Sequence, residues 1–259
     1  MSPTLAHLKV DPSALAPRVL MPGDPARVDE IGKKLDNFTI LGQNREFRIG
    51  VGTYKSVPIT VCSTGIGCPS TAIAAEELID AGAQYLMRVG TCGGAWRSDI
   101  PLGNIIIPSA SVRDEGTTNE YIPQGFPAVA DRTIVNALVE ASIREQQPYI
   151  VGINRTHDAY YGALSEITKW GTYLQDQRWK DSDTPIVSSD MECSALFVIA
   201  SLRGVKAGAV LAVNADPEPL KDRLLGRSQT VVQTAHNPKA TQVVDVMIHI
   251  ALEAMVLLP

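Results

Sequence analysis

Four short stretches of this chain join residue types that hold anions or sugars. Gly23 to Arg27 (GDPAR) sits between a strand-like run and a helix start. A glycine there admits a ligand close to the backbone, the helix start offers free N–H groups, and Arg27 adds charge. The same five residues also read as a plain strand–helix turn with a solvated arginine. Leu86 to Gly94 (LMRVGTCGG) places Arg88 in an otherwise apolar strand, where its charge must be matched. A buried structural ion pair and an anion site both meet that demand. Gly90, Gly93 and Gly94 favour the anion, because they free the adjoining loop to approach a ligand, and Thr91 supplies a hydroxyl. Ser188 to Glu192 (SSDME) precedes a nearly all-apolar helix. Asp190 and Glu192 are there either as helix-start acids or as a carboxylate pair for the vicinal hydroxyls of a sugar. Positive clusters together with such an acid pair suggest phosphate meeting a ribose derivative.

Ser63 to Ser70 (STGIGCPS) has part of the glycine spacing of a dinucleotide-binding turn. Ser70 stands at its third glycine position, and the next strand ends in Arg88 where a ribose-binding acid belongs, so a nicotinamide site is disfavoured. Tight strand–helix packing explains these glycines equally well. Nucleophile-elbow, Walker, zincin and paired Cys/His motifs are absent.

The elements that must position these residues alternate. Strands are expected at Arg18–Met21, Phe47–Tyr54, Val57–Ser63, Gln84–Val89, Asn104–Pro108, Tyr149–Ile153, Ile186–Val187 and Ala207–Val213. Helices are expected at Ala26–Leu35, Ser70–Asp80, from an Asp131 cap to Gln146, at Cys193–Leu202 and at Lys239–Leu257. Strands alternating with helices imply one α/β domain with a largely parallel sheet covered on both faces. Leu164–Asp183 and Pro217–Asn237 lack periodicity, and loops that long are either disordered or lids over a site.

The chain has 259 residues, 45% hydrophobic and 20% charged, which is ordinary globular composition. A net charge of −5 gives no general attraction to nucleic acid or anionic membrane, so any bound anion is held locally. No apolar run reaches the ~20 residues of a membrane span, and the N-terminus lacks the apolar core of a secretory signal. Cys62, Cys68, Cys92 and Cys193 form no C-x-x-C pair. They read as buried reduced thiols of a cytoplasmic protein, without a zinc site.

Ser63 to Leu78 (STGIGCPSTAIAAEEL) resembles the signature of the nucleoside phosphorylase-I family, the uridine and hexameric purine nucleoside phosphorylases. GDPAR at Gly23–Arg27, NREF at Asn44–Phe47, RVGT at Arg88–Thr91, FPAVAD at Phe126–Asp131 and Met191–Glu192 follow in family order, over almost the whole chain. The resemblance implies a three-layer α/β/α fold with a mixed, largely parallel central sheet. It also implies reversible phosphorolysis of a nucleoside to ribose 1-phosphate and free base, with inorganic phosphate as co-substrate and no organic cofactor. By the same analogy Gly23, Arg27, Arg88 and Thr91 grip the phosphate, with Arg45 reaching it from a neighbouring subunit. Asp190, Met191 and Glu192 bind the ribose, and His7 points at the 5′-hydroxyl of the adjacent subunit's ligand. Glu46, Ile66 and Ser70 stand at the family's potassium position between subunits. The implied assembly is a homohexamer, a trimer of dimers, with no nucleic-acid or membrane partner.

The base pocket departs from the pattern. Tyr160 and Tyr161 keep an aromatic pair, but Ala163 stands where uridine phosphorylases place glutamine, and the arginine that follows is missing. Val213 to Asp216 (VNAD) puts Ala215 where purine-specific members carry an acid, with Asn214 before it and Asp216 one residue late. Asp190 replaces the glutamate of the family's E-M-E triplet. The expectation is a uridine phosphorylase of pyrimidine salvage in which Arg88, Glu192 and Asp216 are catalytic and Tyr160, Ala163 and Asn214 face the base. A purine nucleoside phosphorylase and a weakly catalytic nucleoside-binding protein are the alternatives.

Overall fold

The computed structural model describes residues 4–94, 100, 102–160, 186–215 and 238–259. The proposed loops at 164–183 and 217–237 lie outside them, as do Tyr161, Ala163 and Asp216. In chain order the strands are β1 (Arg18–Met21), β2 (Asp36–Asn44), β3 (Phe47–Tyr54), β4 (Val57–Cys62), β5 (Tyr85–Gly93), β6 (Ile105–Asp114), β7 (Ala128–Val129), β8 (Tyr149–His157), β9 (Ile186–Asp190) and β10 (Lys206–Ala215). The helices are α1 (Pro25–Gly32), α2 (Cys68–Asp80), α3 (Thr117–Tyr121), α4 (Arg132–Arg144), α5 (Cys193–Arg203) and α6 (Pro238–Leu257).

The strands form one mixed sheet in the order β10-β6-β8-β9-β5-β1-β4-β3-β2. Because β10 also pairs with β5, half of this sheet closes on itself through β5, β10, β6, β8 and β9. Strand alternation splits the core into two layers. Leu86, Cys92, Ala209 and Leu211 pack with α2 and α5, while Met87, Val89, Val210 and Ala212 pack with α1, α4 and α6. The three-layer α/β expectation holds. The apolar stretch Cys193–Ala200 is buried throughout, as a helix apolar on all sides must be.

Several boundaries need correction. The run Gly90 to Gly93, expected as a loop, continues β5, because β10 pairs with it along its whole length. The strand expected to stop at Pro108 runs to Asp114, with a register shift between Pro108 and Ala110 that absorbs the proline. β8 extends to His157 and β9 to Asp190, and β2, polar and weakly alternating, was not expected at all.

One detail of this topology makes the site. β1 pairs with β5 only as far as Met21 opposite Arg88, and β9 meets that same edge again only at Gly93 opposite Ser189. Between these points β5 has no strand neighbour on that edge among the described residues. The crevice lies at the carboxyl ends of parallel strands, where α/β sheets place ligands.

Candidate active site

Arg88 is at the centre. Its Nε donates to Asp190 Oδ2 at 2.9 Å, and its Nη2 lies 2.5 Å from Glu192 Oε2. Burial pulls the guanidinium's pKa down, but the Glu192 and Asp190 carboxylates outweigh it and the net direction is upward, so Arg88 stays charged. A Cβ on Gly90 would stand 2.6 Å from both Cζ and Nη2 of Arg88. Gly90 is therefore glycine because the guanidinium lies over its Cα, rather than to loosen a loop. Of the two readings the sequence left open, the structure shows the buried ion pair: Nε and Nη2 are paired with carboxylates, while Nη1 is directed elsewhere, 3.8 Å from where a Gly23 Cβ would be.

Asp190, expected at the ribose, is placed inside this cluster, with its side chain 0% exposed. Oδ1 accepts from Asn154 Nδ2 at 2.7 Å and from Thr156 Oγ1 at 2.8 Å, and the Cys193 N–H at the start of α5 donates to Oδ2 at 3.1 Å. It thus joins the helix-start reading and the ion-pair reading. Burial alone would raise its pKa, but Arg88 and these donors hold it below the ordinary value. Glu192 moves the other way, raised by burial and by Asp190 against the pull of Arg88. Its Oε1 accepts from the Gly67 N–H at 2.7 Å, which ties the glycine loop before α2 to the acid pair. The Cys68 thiol donates to the Met191 carbonyl, 3.2 Å away, and so holds that residue beside the same loop.

Two strand-end loops face these acids. The Gly65 N–H donates to the Gly23 carbonyl at 2.9 Å, and the Thr64 N–H donates to that of Pro22 at 2.9 Å, so GDPAR and STGIG are fastened side by side. Gly23 has little room for a side chain: a Cβ would come 3.1 Å from the Gly65 carbonyl oxygen. Asp24 caps α1 by accepting from the Ala26 N–H, which aims the helix start at the crevice. Arg27 Nη1 donates to the Val89 carbonyl at 3.3 Å, on the stretch of β5 whose β1 and β9 edge is open, while its buried Nε has no partner among the described residues. Burial first and then the charge of Arg88 lower its pKa, since two cations share one region. Thr91, half-buried, lies further along β5 on the same stretch, paired with β10 on one side only among the described residues.

The remaining expected residues lie at the periphery. Arg45 is exposed at the β2–β3 turn with φ 53°. The His7 carbonyl accepts from Asn44 Nδ2 beside it, and His7 Nδ1 lies 2.6 Å from Glu77 Oε1, so His7 and Arg45 share one exposed patch. The side chain of Glu46 packs over Gly65, Ser70 Oγ donates to the Ile66 carbonyl at 3.4 Å, and Ile66 is 80% exposed. Tyr160 lies beyond the end of β8 and is exposed. Asn214 is the extra residue of a β-bulge, since Val213 pairs with Cys92 and Ala215 with Gly93; such bulges re-aim a side chain beside a site. Sequence reasoning missed Asn154 and Thr156. They lie just past Ile153, where the strand was expected to end, and their alternate polar spacing is the signal that β8 continues to His157.

Glu145, His249 and Glu253 bring ligand atoms within 4.8 Å of one another on the far helical layer. Lys55 Nζ already sits on Glu253 at 2.6 Å, so a cation is in place there. All four cysteines are free and buried, and burial raises each thiol's pKa, so they are poor nucleophiles. Among the described residues no helix is long and apolar enough to cross a membrane.

Residues 17–248 match the family model described as the phosphorylase superfamily. The chain belongs to this family. Among phosphorylase superfamily relatives, a uridine phosphorylase of Treponema pallidum is 40% identical over 80% of this chain and 80% of its own length. A guanosine phosphorylase of Halorubrum lacusprofundi is 35% identical over 80% of this chain and 82% of its own. Among solved structures, a uridine phosphorylase from Vibrio fischeri ES114 superposes with a TM-score of 0.82 at 32% identity, covering 99% of this chain and 98% of that one. A Toxoplasma gondii purine nucleoside phosphorylase in complex with immucillin-H gives 0.84 at 31%, covering 97% and 95%.

Proposed function

We propose that this phosphorylase superfamily member is a pentosyltransferase that cleaves the N-glycosidic bond of a ribonucleoside with inorganic phosphate, acting as a uridine phosphorylase. The single observation that carries this reading is the placement of Arg88, whose guanidinium faces the Gly23 loop and Arg27 on one side and Glu192 on the other. That geometry suits a phosphate held against the anomeric carbon of a ribose whose hydroxyls bond to Glu192. Bond cleavage develops oxocarbenium character on the sugar and negative charge on the base. The phosphate stabilises the cation and then attacks it, so no protein nucleophile is required. Arg27 and Arg88 orient the phosphate and offset its charge, with Thr91 and the Gly23 backbone completing the cradle. Hydrogen bonds from sugar hydroxyls to the Glu192 carboxylate strengthen as the ring becomes cationic.

Exposed Arg45, His7 and Ile66 support an oligomer in which each site is completed by a neighbour, a hexamer by family analogy. Glu46, the Ile66 carbonyl and Ser70 around Gly65 offer the oxygen donors that suit a potassium ion there. The continuous sheet supports a single domain, and four free thiols support the cytoplasm. Tyr160 and Asn214, the latter re-aimed by its bulge, face the base, with Ala163 and Asp216 assigned there from the sequence alone.

Guanosine or another purine nucleoside is the second reading, favoured by the Halorubrum and Toxoplasma relatives and by the absence of the uracil-reading glutamine and arginine. Incubation with uridine, thymidine, inosine, guanosine and adenosine, with and without phosphate, decides between them. Phosphate-dependent uracil release is expected. Release of a purine base alone establishes the second reading, and equal cleavage without phosphate defeats both.

A further inference from the structure

Arg88 has three kinds of nitrogen and each faces something different. Nη1 faces Gly23, Nη2 faces Glu192, and Nε faces Asp190. The first two directions belong to the site described above. The third points inward, to a carboxylate with 0% of its side chain exposed, held by residues that reach neither crevice loop. We propose that Asp190, braced by Asn154 and Thr156, is a positioning residue for phosphate: it sets the rotation of the Arg88 guanidinium over Gly90 so that Nη1 is presented to the Gly23 loop. This inference rests on the reading of that crevice as the phosphate site.

The brace runs deeper than one contact. Asn154 Nδ2 and Thr156 Oγ1 both donate to Asp190 Oδ1, so Oδ2 is left for Arg88 and the Cys193 N–H. Asn154 Oδ1 in turn accepts from Ser188 Oγ at 2.8 Å, which fixes which way its amide faces. Thr156 Oγ1 accepts from the Ser194 N–H at 3.0 Å, so its proton is directed at Asp190. Ser194 Oγ donates to Glu115 Oε1 at 3.0 Å and completes the chain. Every donor in this series has an assigned acceptor, and a fully satisfied buried network has one low-energy arrangement. On another side the guanidinium lies directly against Gly90, where even a methyl would overlap it, so it cannot sink toward the strand backbone. A phosphate-binding arginine held on two sides keeps its geometry when Glu192 exchanges its contact for a sugar hydroxyl. A longer acid at 190 would push the guanidinium toward the crevice, which gives the short aspartate here a physical reason.

The test uses the full-length protein and variants Asp190→Asn, Asn154→Ala and Gly90→Ala. Phosphate KM, nucleoside KM and kcat are measured, along with equilibrium binding of inorganic phosphate by calorimetry and thermal unfolding. Phosphate KM and the phosphate dissociation constant should rise by about 10–100-fold in Asp190→Asn and Gly90→Ala, and by a smaller factor in Asn154→Ala, while nucleoside KM changes far less. Should Asp190→Asn fail to fold, Asn154→Ala decides, because it keeps the ion pair and removes only the brace. Unchanged phosphate binding in folded variants, or an equal loss for both substrates, overturns the positioning role while leaving the proposed activity intact. A wild-type enzyme that releases base without phosphate overturns the activity. The calorimetric arm then still reports whether Asp190 sets Arg88 for an anion, since it requires no turnover.

Discussion

Glu192 combines the strongest demands of any side chain in the site. It accepts from Arg88 and from the Gly67 backbone, and in the proposed reaction it must also accept from a sugar hydroxyl. Glu192→Gln keeps the volume and removes the charge, so base release should fall on the order of 10²–10³-fold with the fold intact by circular dichroism. Because its pKa is raised above 4.5 and only the ionised form serves, kcat/KM should be lost as pH falls through that raised value. An acid limb lying wholly below 4.5 would rule this out. His157 gives a separate pH signal. It is buried, and that burial, with Arg155 adding to it, depresses its pKa below 6.5. An unfolded chain therefore takes up the proton first on acidification. Stability linked to His157 is complete above 6.5 and declines as pH falls below it. His157→Gln should flatten the dependence of Tm on pH between about pH 8 and about pH 5. An identical slope in both proteins would count against it.

Among elements, those with strong local signals were read nearly to the residue. Arg18–Met21 and Phe47–Tyr54 match the observed strands, and Asp131 caps α4 as its position implied, its Oδ1 accepting from the Thr133 N–H at 2.8 Å. Asp131→Ala should cost about 1 kcal/mol, read as a lowered urea midpoint with no change in slope. Where packing rather than propensity decides, the sequence was silent. Gly208 in β10 faces α4 so closely that a Cβ would lie 2.4 Å from Ile134 Cγ2. Gly208→Ala should destabilise by about 1–3 kcal/mol despite the better β-forming residue, and calorimetric melting would show it. The glycines after Arg88 were read as a loop freed to approach a ligand. Gly90 and Gly93 are strand because β10 pairs with them, and Gly90 is small to admit a guanidinium.

At the scale of the whole molecule, the proposal is that the site is shared between subunits. Arg45 and His7 lie exposed on a patch that the Asn44–His7 and His7–Glu77 bonds hold in shape. Arg45→Ala and Glu192→Gln proteins should each be nearly inactive alone. Mixed assemblies produced by co-expression should recover activity, because one subunit supplies the intact arginine to a neighbour's intact acid. No recovery in a mixed oligomer would show that each site is built from one chain.

The sequence by itself determined the alternation of strands and helices, the motifs at Gly23–Arg27, Arg88–Thr91 and Met191–Glu192, and the reduced state of four thiols. These are local or compositional facts, carried by residue type and short spacing. Only the tertiary structure decided that Asp190 is buried in an ion pair with Arg88. It also decided that Asn154 and Thr156 hold that aspartate, and that among the described residues β5 has no strand neighbour on its β1 and β9 edge between Arg88 and Gly93. Those outcomes depend on which strands become neighbours. A buried carboxylate belongs to whichever donors the sheet order brings to it, and a side chain's partners across 36 or 102 positions leave no trace in its immediate neighbours along the chain.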